Sequence, residues 1–593
     1  MSRKRQQQQR SRKEPPRKKL AFVLLAAAIG AGLAAALWLG PRSSTPEDSY
    51  TRRPKGSVTF SKDIAPILFA QCSPCHRPGE AAPFSLLSFA DARKRAQLIA
   101  KVTADRYMPP FLPQSGPVPL TNTRRLTAEQ IGLIQQWMEE GAAEGSTADL
   151  PALPSWTEGW RLGPPDLILE MPKPYVLAAE GKDVYRNFVI PAPIATRRHV
   201  RAFELRPGTR TIHHAFIQMD PTRNSRRLDD QDAEVGYSGM NSPVTVESPS
   251  GNFASWQPGR GPTEYPPGLP WTIEPGTDIV LQVHLQPSGK VESVKPSLGL
   301  YFTTQGPTNT PFKMVLSSYD IDIPAGKPDY RIEDQFTLPV DVELLAILPH
   351  AHYLGKRLEG QATLPDGKTV PLITIPRWDF NWQSDYRYAH PIPLPQGTRL
   401  SMRYIYDNSA ANVRNPHQPP ARVRYGLQSS DEMGELWLQF LTKKPDDLAR
   451  LQSVYGRRVA EKSLTYYHFL LADDPGNART HNNLGIALIV LGRNNEGLEQ
   501  FRTAARLKPD FDEAHYHLGV MANNTEEAER EFLAAITANP EHYKARNNLG
   551  TIYLEQGRLD AAREQFVEVL RLNPGDAIGK ANLDLVERRR AGQ

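Results

Sequence analysis

Cysteine occurs only twice in the 593 residues, and both copies lie in one short stretch, Cys72-Ser-Pro-Cys75-His76. With both thiols this close together, no disulfide can staple distant elements, so each domain must rest on a core of its own. The stretch also carries chemistry. Two thiols spaced Cys-x-x-Cys can form thioethers to the porphyrin vinyl groups, and the adjoining histidine is then held beneath the ring as an axial iron ligand. A thioredoxin-like dithiol would need a strand-then-helix context, and half of a zinc site would need a second cysteine pair. The chain offers neither, so covalently attached haem c is the reading.

A sixth iron ligand is expected downstream. Arg106-Tyr-Met108-Pro-Pro-Phe111 offers a thioether in a stiff loop, 32 residues beyond His76. The segment from Phe60 to about Gly145 resembles small bacterial cytochromes c, whose distal ligand sits in a Met-Pro-Pro loop, and this points to Met108. Trp137 and Met138, on the apolar face of a helix predicted over 128–141, are expected to pack the haem edge. Filling both axial positions suits electron transfer.

The N-terminus carries nine Lys/Arg and one acid before Leu20, then an uncharged apolar run from Leu20 to Leu39. Twenty helical residues span about 30 Å, one hydrocarbon core. The basic flank stays cytoplasmic and the chain beyond Gly40 is exported, which predicts a single-pass inner-membrane protein with its bulk in the periplasm. The small residues Ala34-Ala-Ala36 leave a cleaved signal peptide open, but the run is long for one and ends in Leu-Trp-Leu, which favours an anchor. The segment before Leu20 contributes +8 to a net charge of +6, leaving about −2 for the rest. The basic balance is therefore a topology signal and gives no support to nucleic-acid binding.

At the other end, Asn483-Leu-Gly485, His517-Leu-Gly519 and Asn548-Leu-Gly550 recur at offsets of 34 and 31, and prolines close the units at Pro509, Pro540 and Pro574. These units resemble the tetratricopeptide repeat, which implies a helical solenoid docking a protein partner. His515 and His517 are expected on its surface. Between Gly163 and about Lys443, short β-type runs alternate with Pro/Gly/Asp turns: Val184 to Ile190, Val200 to Leu205, Ile279 to Leu285, Ser297 to Phe302, Leu344 to Ile347, Arg399 to Tyr404 and Glu435 to Phe440. That density predicts antiparallel sandwiches, and about 280 residues suffice for two.

Histidines punctuate these runs as Ile212-His213-His214, Val283-His284-Leu285 and Pro349-His350-Ala351-His352. His350 and His352, two apart, share a strand face, whereas His213 and His214 can serve one metal only at a bulge or strand end. Their order, with Ser429-Ser-Asp-Glu-Met433 further along, resembles the type II copper monooxygenases, the family of dopamine β-monooxygenase and peptidylglycine α-hydroxylating monooxygenase. The resemblance implies two β-sandwich lobes across a solvent-filled cleft. It implies one copper on His213, His214 and His284 for electron transfer, and a second on His350, His352 and Met433 where O2 reacts. Imidazoles suit either copper oxidation state and a thioether favours Cu(I), while a His2Met set is a poor zinc site. Peptide-amidating members hold a substrate carboxylate with an Arg before the His-x-His pair and an Asn and a Tyr after the Met. This chain has Leu348, Glu435 and Trp437 there. The polar loop from Asp407 to Pro416 reads as a structural turn, and His199, His390 and His417 as ordinary residues.

The resulting expectation is a multidomain chain: a basic tail (1–19), a transmembrane anchor (20–39), a linker (40–55), an all-α cytochrome c-like domain (56–148), two copper-binding β lobes (164–306 and 307–445), a helical linker (446–477) and a tetratricopeptide solenoid (478–590). Its expected cofactors are two copper ions and one haem c. It would hydroxylate an unidentified organic C–H bond with O2, taking electrons from a periplasmic redox protein, a quinol-linked chain or an ascorbate-like reductant. The rival is a non-catalytic electron-transfer or copper-binding assembly protein that docks partners through its repeats.

Overall fold

A computed structural model describes residues 50–592, except 81, 122, 157–158, 223 and 240–245. The expected tail and anchor lie outside the described residues, and among those described no helix is long and apolar enough to cross a membrane. The chain is multidomain, with a β-rich region and a C-terminal helical region.

It divides into two compact units. The smaller comprises the described residues up to Leu68 together with Ser88–Arg106 and Arg125–Pro151. Its helices include Ala96–Ala104 and Ala128–Glu139, the latter opened by a Thr127/Gln130 capping box that satisfies two otherwise orphan amides. Trp137, fully buried here, packs 6.2 Å from Phe60, and its Nε1 donates to the Ala143 carbonyl at 2.9 Å. Met138 is half-buried. The larger unit takes Phe69–Leu87, Tyr107–Arg124 and everything from Ala152 onward. The segment 56–148, expected as one domain, is thus shared between the units, and Cys72, Cys75, His76 and Met108 all belong to the larger one.

Within the larger unit, each β lobe has two larger antiparallel sheets and a two-stranded one. In the first lobe, strand Asp278–Leu285 lies between Val184–Pro191 and Ile212–Asp220. It is paired on both edges, and every residue of it except Gln282 is buried, the polar Asp278 and His284 included. In the second lobe, strand Val342–Ala351 lies between Gly434–Thr442 and Tyr386–Leu394, and a second sheet is built from residues 330–337, 399–406, 355–363 and 369–375. The expected strands are present with ends extended by up to four residues, since cross-strand pairing carries them past their most apolar positions.

A buried ion pair joins the lobes. Asp385 accepts from both Arg260 guanidinium nitrogens and from Ser255 Oγ at 2.8 Å. Gln439 Nε2 donates to Asn252 Oδ1 at 3.0 Å. Helix Pro445–Asp473 comes next, 29 residues or about 43 Å long. It is anchored on the second lobe by Leu451 and by Arg458 and Lys462 on Asp334. Three helix pairs then stack, Ala478–Val490 with Asn494–Leu507, Asp512–Val520 with Thr525–Ala538, and Tyr543–Glu555 with Leu559–Leu572, closed by Ala577–Arg590. The Gly of each Leu-Gly marker permits the close approach. A Cβ at Gly485, Gly519 or Gly550 would sit 2.6, 2.7 or 2.8 Å from Phe501, Phe532 or Phe566. His515 and His517, expected on the surface, are both half-buried: His515 Nδ1 lies 2.8 Å from Glu531 Oε2, and the His517 ring stacks on Phe501 at 4.8 Å. Burial pushes His517 down to about 4.

Candidate metal centres

His284 pairs directly with His214 across adjacent strands, and the register then slips so that Leu285 faces Ile212. His213 is the extra residue of that bulge. Bulging turns both neighbours of a His-His pair to one side, and ligand atoms of His213, His214 and His284 all lie within 4.8 Å of one another. The bulge is the arrangement that two adjacent histidines need to share a metal.

The protonation pattern favours ligation. His284 Nε2 lies 2.8 Å from Asp183 Oδ2, so Nε2 carries the proton and Nδ1 turns toward His214 Nε2 at 3.3 Å. Both ring nitrogens of His213 and Nδ1 of His214 are buried with no hydrogen-bond partner. Orphaned imidazole nitrogens in a dry site cost free energy unless something satisfies them. Burial, with His284 nearby, pushes His213 down to about 4 and His214 well below its usual value, so the rings stay neutral, as ligation requires.

The second set forms where strand Val342–Ala351 meets strand Gly434–Thr442. Ala351 pairs with Gly434, so His352 and Met433 emerge side by side at the end of the ladder. The His350 and His352 rings are 5.2 Å apart. Their Nδ1 atoms donate to Gln383 Oε1 at 2.6 Å and to the Asp431 carbonyl at 3.1 Å, turning each Nε2 the other way. Met433 and His352 are buried, and burial, with His350 alongside, pushes His352 down to about 3. Two imidazoles and a thioether make a donor set suited to copper.

Three residues that sequence reasoning passed over organise these sets. Asp183 also accepts from Ser429 Oγ at 2.9 Å, which ties the three-histidine set to the Met433 segment in the other lobe. Burial raises its carboxyl, but bonds from His284 and Ser429 outweigh this and hold it below the usual carboxylate range. Glu432, fully buried, accepts the backbone amides of His352, Leu354 and Met433, so one carboxylate pins both ligand-bearing segments. Burial dominates there and pushes it up to about 8. Only its place beside Met433 pointed to Glu432.

The third is Phe380. Its ring centroid lies 5.0 Å from that of His213, in a stacked pair, and 5.6 Å from that of His352. The resemblance implies a solvent-filled cleft at this place; here a side chain 2% exposed fills it. One ring thus contacts a histidine of each set. Phe380 sits in a turn anchored by Arg414 Nη2 on Asp379 at 2.7 Å, so the polar loop read as purely structural also braces the site. Glu435 pairs with His350 and Trp437 with Leu348, which places those four residues on one sheet face beside the second set. Trp437 Nε1 donates to Glu435 at 2.8 Å.

The Cys72–His76 stretch continues from helix Ala65–Gln71 as a tight turn, with the amides of Cys75 and His76 donating to the Cys72 carbonyl. His76 Nδ1 donates to the Phe84 carbonyl at 3.1 Å, the tautomer that turns Nε2 toward an axial position. Burial pushes the Cys72 thiol up to about 12. Gly259, at φ +83°, leaves room beside Cys75, where a Cβ would come within 3.1 Å of the sulfur. These residues fit a covalent haem. Met108, half-buried, opens a separate strap, and no contact between it and His76 is established. Of the histidines expected to be ordinary, His199 Nδ1 lies 3.0 Å from Thr272 Oγ1 and His417 Nε2 3.3 Å from the Ser430 carbonyl.

Residues 522–577 match the tetratricopeptide repeat family. A tetratricopeptide repeat-containing protein, trd-1, from Caenorhabditis elegans is 24% identical over 150 residues, 25% of this chain and 19% of that protein, so the chain spans about a fifth of that relative's length. Two crystal structures of MamA align at 24% identity and TM-score 0.21, covering 22% of this chain and 79% and 74% of theirs. The C-terminal region is a tetratricopeptide repeat region.

Proposed function

We propose that the chain is a membrane-anchored, exported two-copper monooxygenase that hydroxylates a C–H bond with O2, with electrons entering through a tethered haem c. What carries this reading is one arrangement: a three-imidazole set and a His2Met set, on the two lobes, with tautomers held by Asp183, Gln383 and the Asp431 carbonyl and with the Phe380 ring against one histidine of each. Copper held there would supply one-electron chemistry and reaction with O2. The protein's own groups orient the imidazoles, and burial keeps His213, His214 and His352 neutral. A turnover takes O2, two electrons, two protons and substrate to an alcohol and water. Glu435, beside His350 where amidating relatives place a carboxylate clamp, disfavours an anionic substrate and favours a neutral or cationic one.

The second reading is a protein-interaction scaffold, and the comparisons back it better, because the repeats are what they support. The test is metal analysis of the full chain joined to O2 uptake. The oxygenase reading expects about two coppers per haem and copper-dependent O2 consumption when the haem is kept reduced. Protein that carries haem, binds no copper and captures a partner through residues 478–590 is the scaffold.

A further inference from the structure

Building on the oxygenase reading, we infer that the turn Asp379–Gln383 is the bridge by which electrons pass from the haem-attachment region to the histidine sets, through the series Tyr107, Trp382 and Phe380. The segment after Met108 is fixed to the second lobe by main-chain bonds. Gln114 N donates to Thr374 O, Thr121 N to Arg387 O and Ala389 N to Pro119 O, each at 2.8 Å. Phe111 adds an edge contact to Tyr386 at 5.6 Å. The strap therefore holds Tyr107, the residue bonded to the candidate axial ligand Met108, against this lobe. The Tyr107 ring lies 6.1 Å from that of Trp382, edge to face.

Trp382 belongs to the same short turn as Phe380, whose ring contacts one histidine of each set. The turn is rigid. Trp382 N donates to Asp379 O at 3.0 Å, Asn381 N donates to Asp379 Oδ1 at 3.1 Å, and Gln383 Oε1 accepts from His350 Nδ1 at 2.6 Å. Five residues thus touch the strap at one end and both sets at the other. Each passage is one electron: haem Fe(II) becomes Fe(III), Cu(II) becomes Cu(I), and no atom moves. The bridging side chains stay unoxidised, and an external one-electron donor reduces the haem again.

The test uses full-length protein carrying haem and copper, made anaerobic, with the haem reduced by a photogenerated flavin radical. The readouts are reoxidation of the ferrous haem band and loss of the Cu(II) EPR signal. Trp382→Leu and Tyr107→Leu replace no ligand, and each should slow reoxidation by roughly an order of magnitude at unchanged haem and copper content, while Tyr107→Phe keeps the wild-type rate. Full metal content with wild-type rates in both leucine variants overturns the bridge alone. Wild-type protein that keeps its haem and binds no copper overturns the bridge together with the oxygenase reading.

Discussion

Replacing Asp183 by Asn removes one charge and alters no backbone. In the native protein the carboxylate fixes the Nε2–H tautomer of His284 at 2.8 Å and leaves Nδ1 for the metal. An amide oxygen can accept the same hydrogen bond but loses its charge assistance, and the amide group can flip to oppose it. Outer partners of metal-bound histidines are worth about 10–100-fold in affinity, or about 1.4–2.7 kcal/mol. Copper at the three-histidine set should therefore weaken by that factor, measured by competition with a Cu(I) chelator, while the His2Met set keeps its metal. Ser429→Ala cuts only the cross-lobe arm of the same carboxylate and should leave the first set within about threefold, since His284 keeps its partner. Equal affinities in Asp183→Asn and wild type would refute the assignment of Nδ1 as the ligand atom. Equal losses in the two variants would show that the carboxylate acts by joining the lobes.

His213→Ala should lower copper from about two to about one per chain, whereas Met433→His keeps about two and loses O2 consumption, because a third imidazole favours Cu(II); metal analysis with O2 uptake separates them. Asp385→Ala strands Arg260 in the lobe interface and should cost about 3–5 kcal/mol, read as a lowered denaturation midpoint of the β region. Gly519→Val drives a side chain into Phe532, where a Cβ alone would sit at 2.7 Å, and should destabilise the repeats by about 1–3 kcal/mol while haem and copper spectra stay unchanged. Burial pushes Lys313 down to about 8 from 10.5. Between those values the unfolded chain binds more protons than the folded one, so stability should rise with pH across that window, and Lys313→Met should abolish the rise and stabilise the protein at pH 7 by about 1–2 kcal/mol.

Chemistry written in consecutive residues was legible without coordinates. Cys72-Ser-Pro-Cys75-His76, the Leu-Gly periodicity and the order of the histidine pairs depend on covalent spacing alone, and the strands were readable from alternation and turn residues. The sequence also stated the condition for His213 and His214, a bulge, but whether one forms depends on how strand 212–220 registers against 278–285. What only the tertiary structure decided are contacts between residues far apart in the chain. Asp183 and Ser429 lie 246 positions apart, and Arg260 and Asp385 lie 125 apart. No local pattern marks such pairs, because each partner satisfies ordinary turn or strand preferences where it stands. The same holds for Phe380, which in sequence is one more apolar residue after an Asp and meets a histidine of each set only in the folded lobes. The strap 107–124, expected in a helical domain, pairs with the second lobe instead, because its backbone donors and acceptors find partners at the edge of strand Tyr386–Leu394.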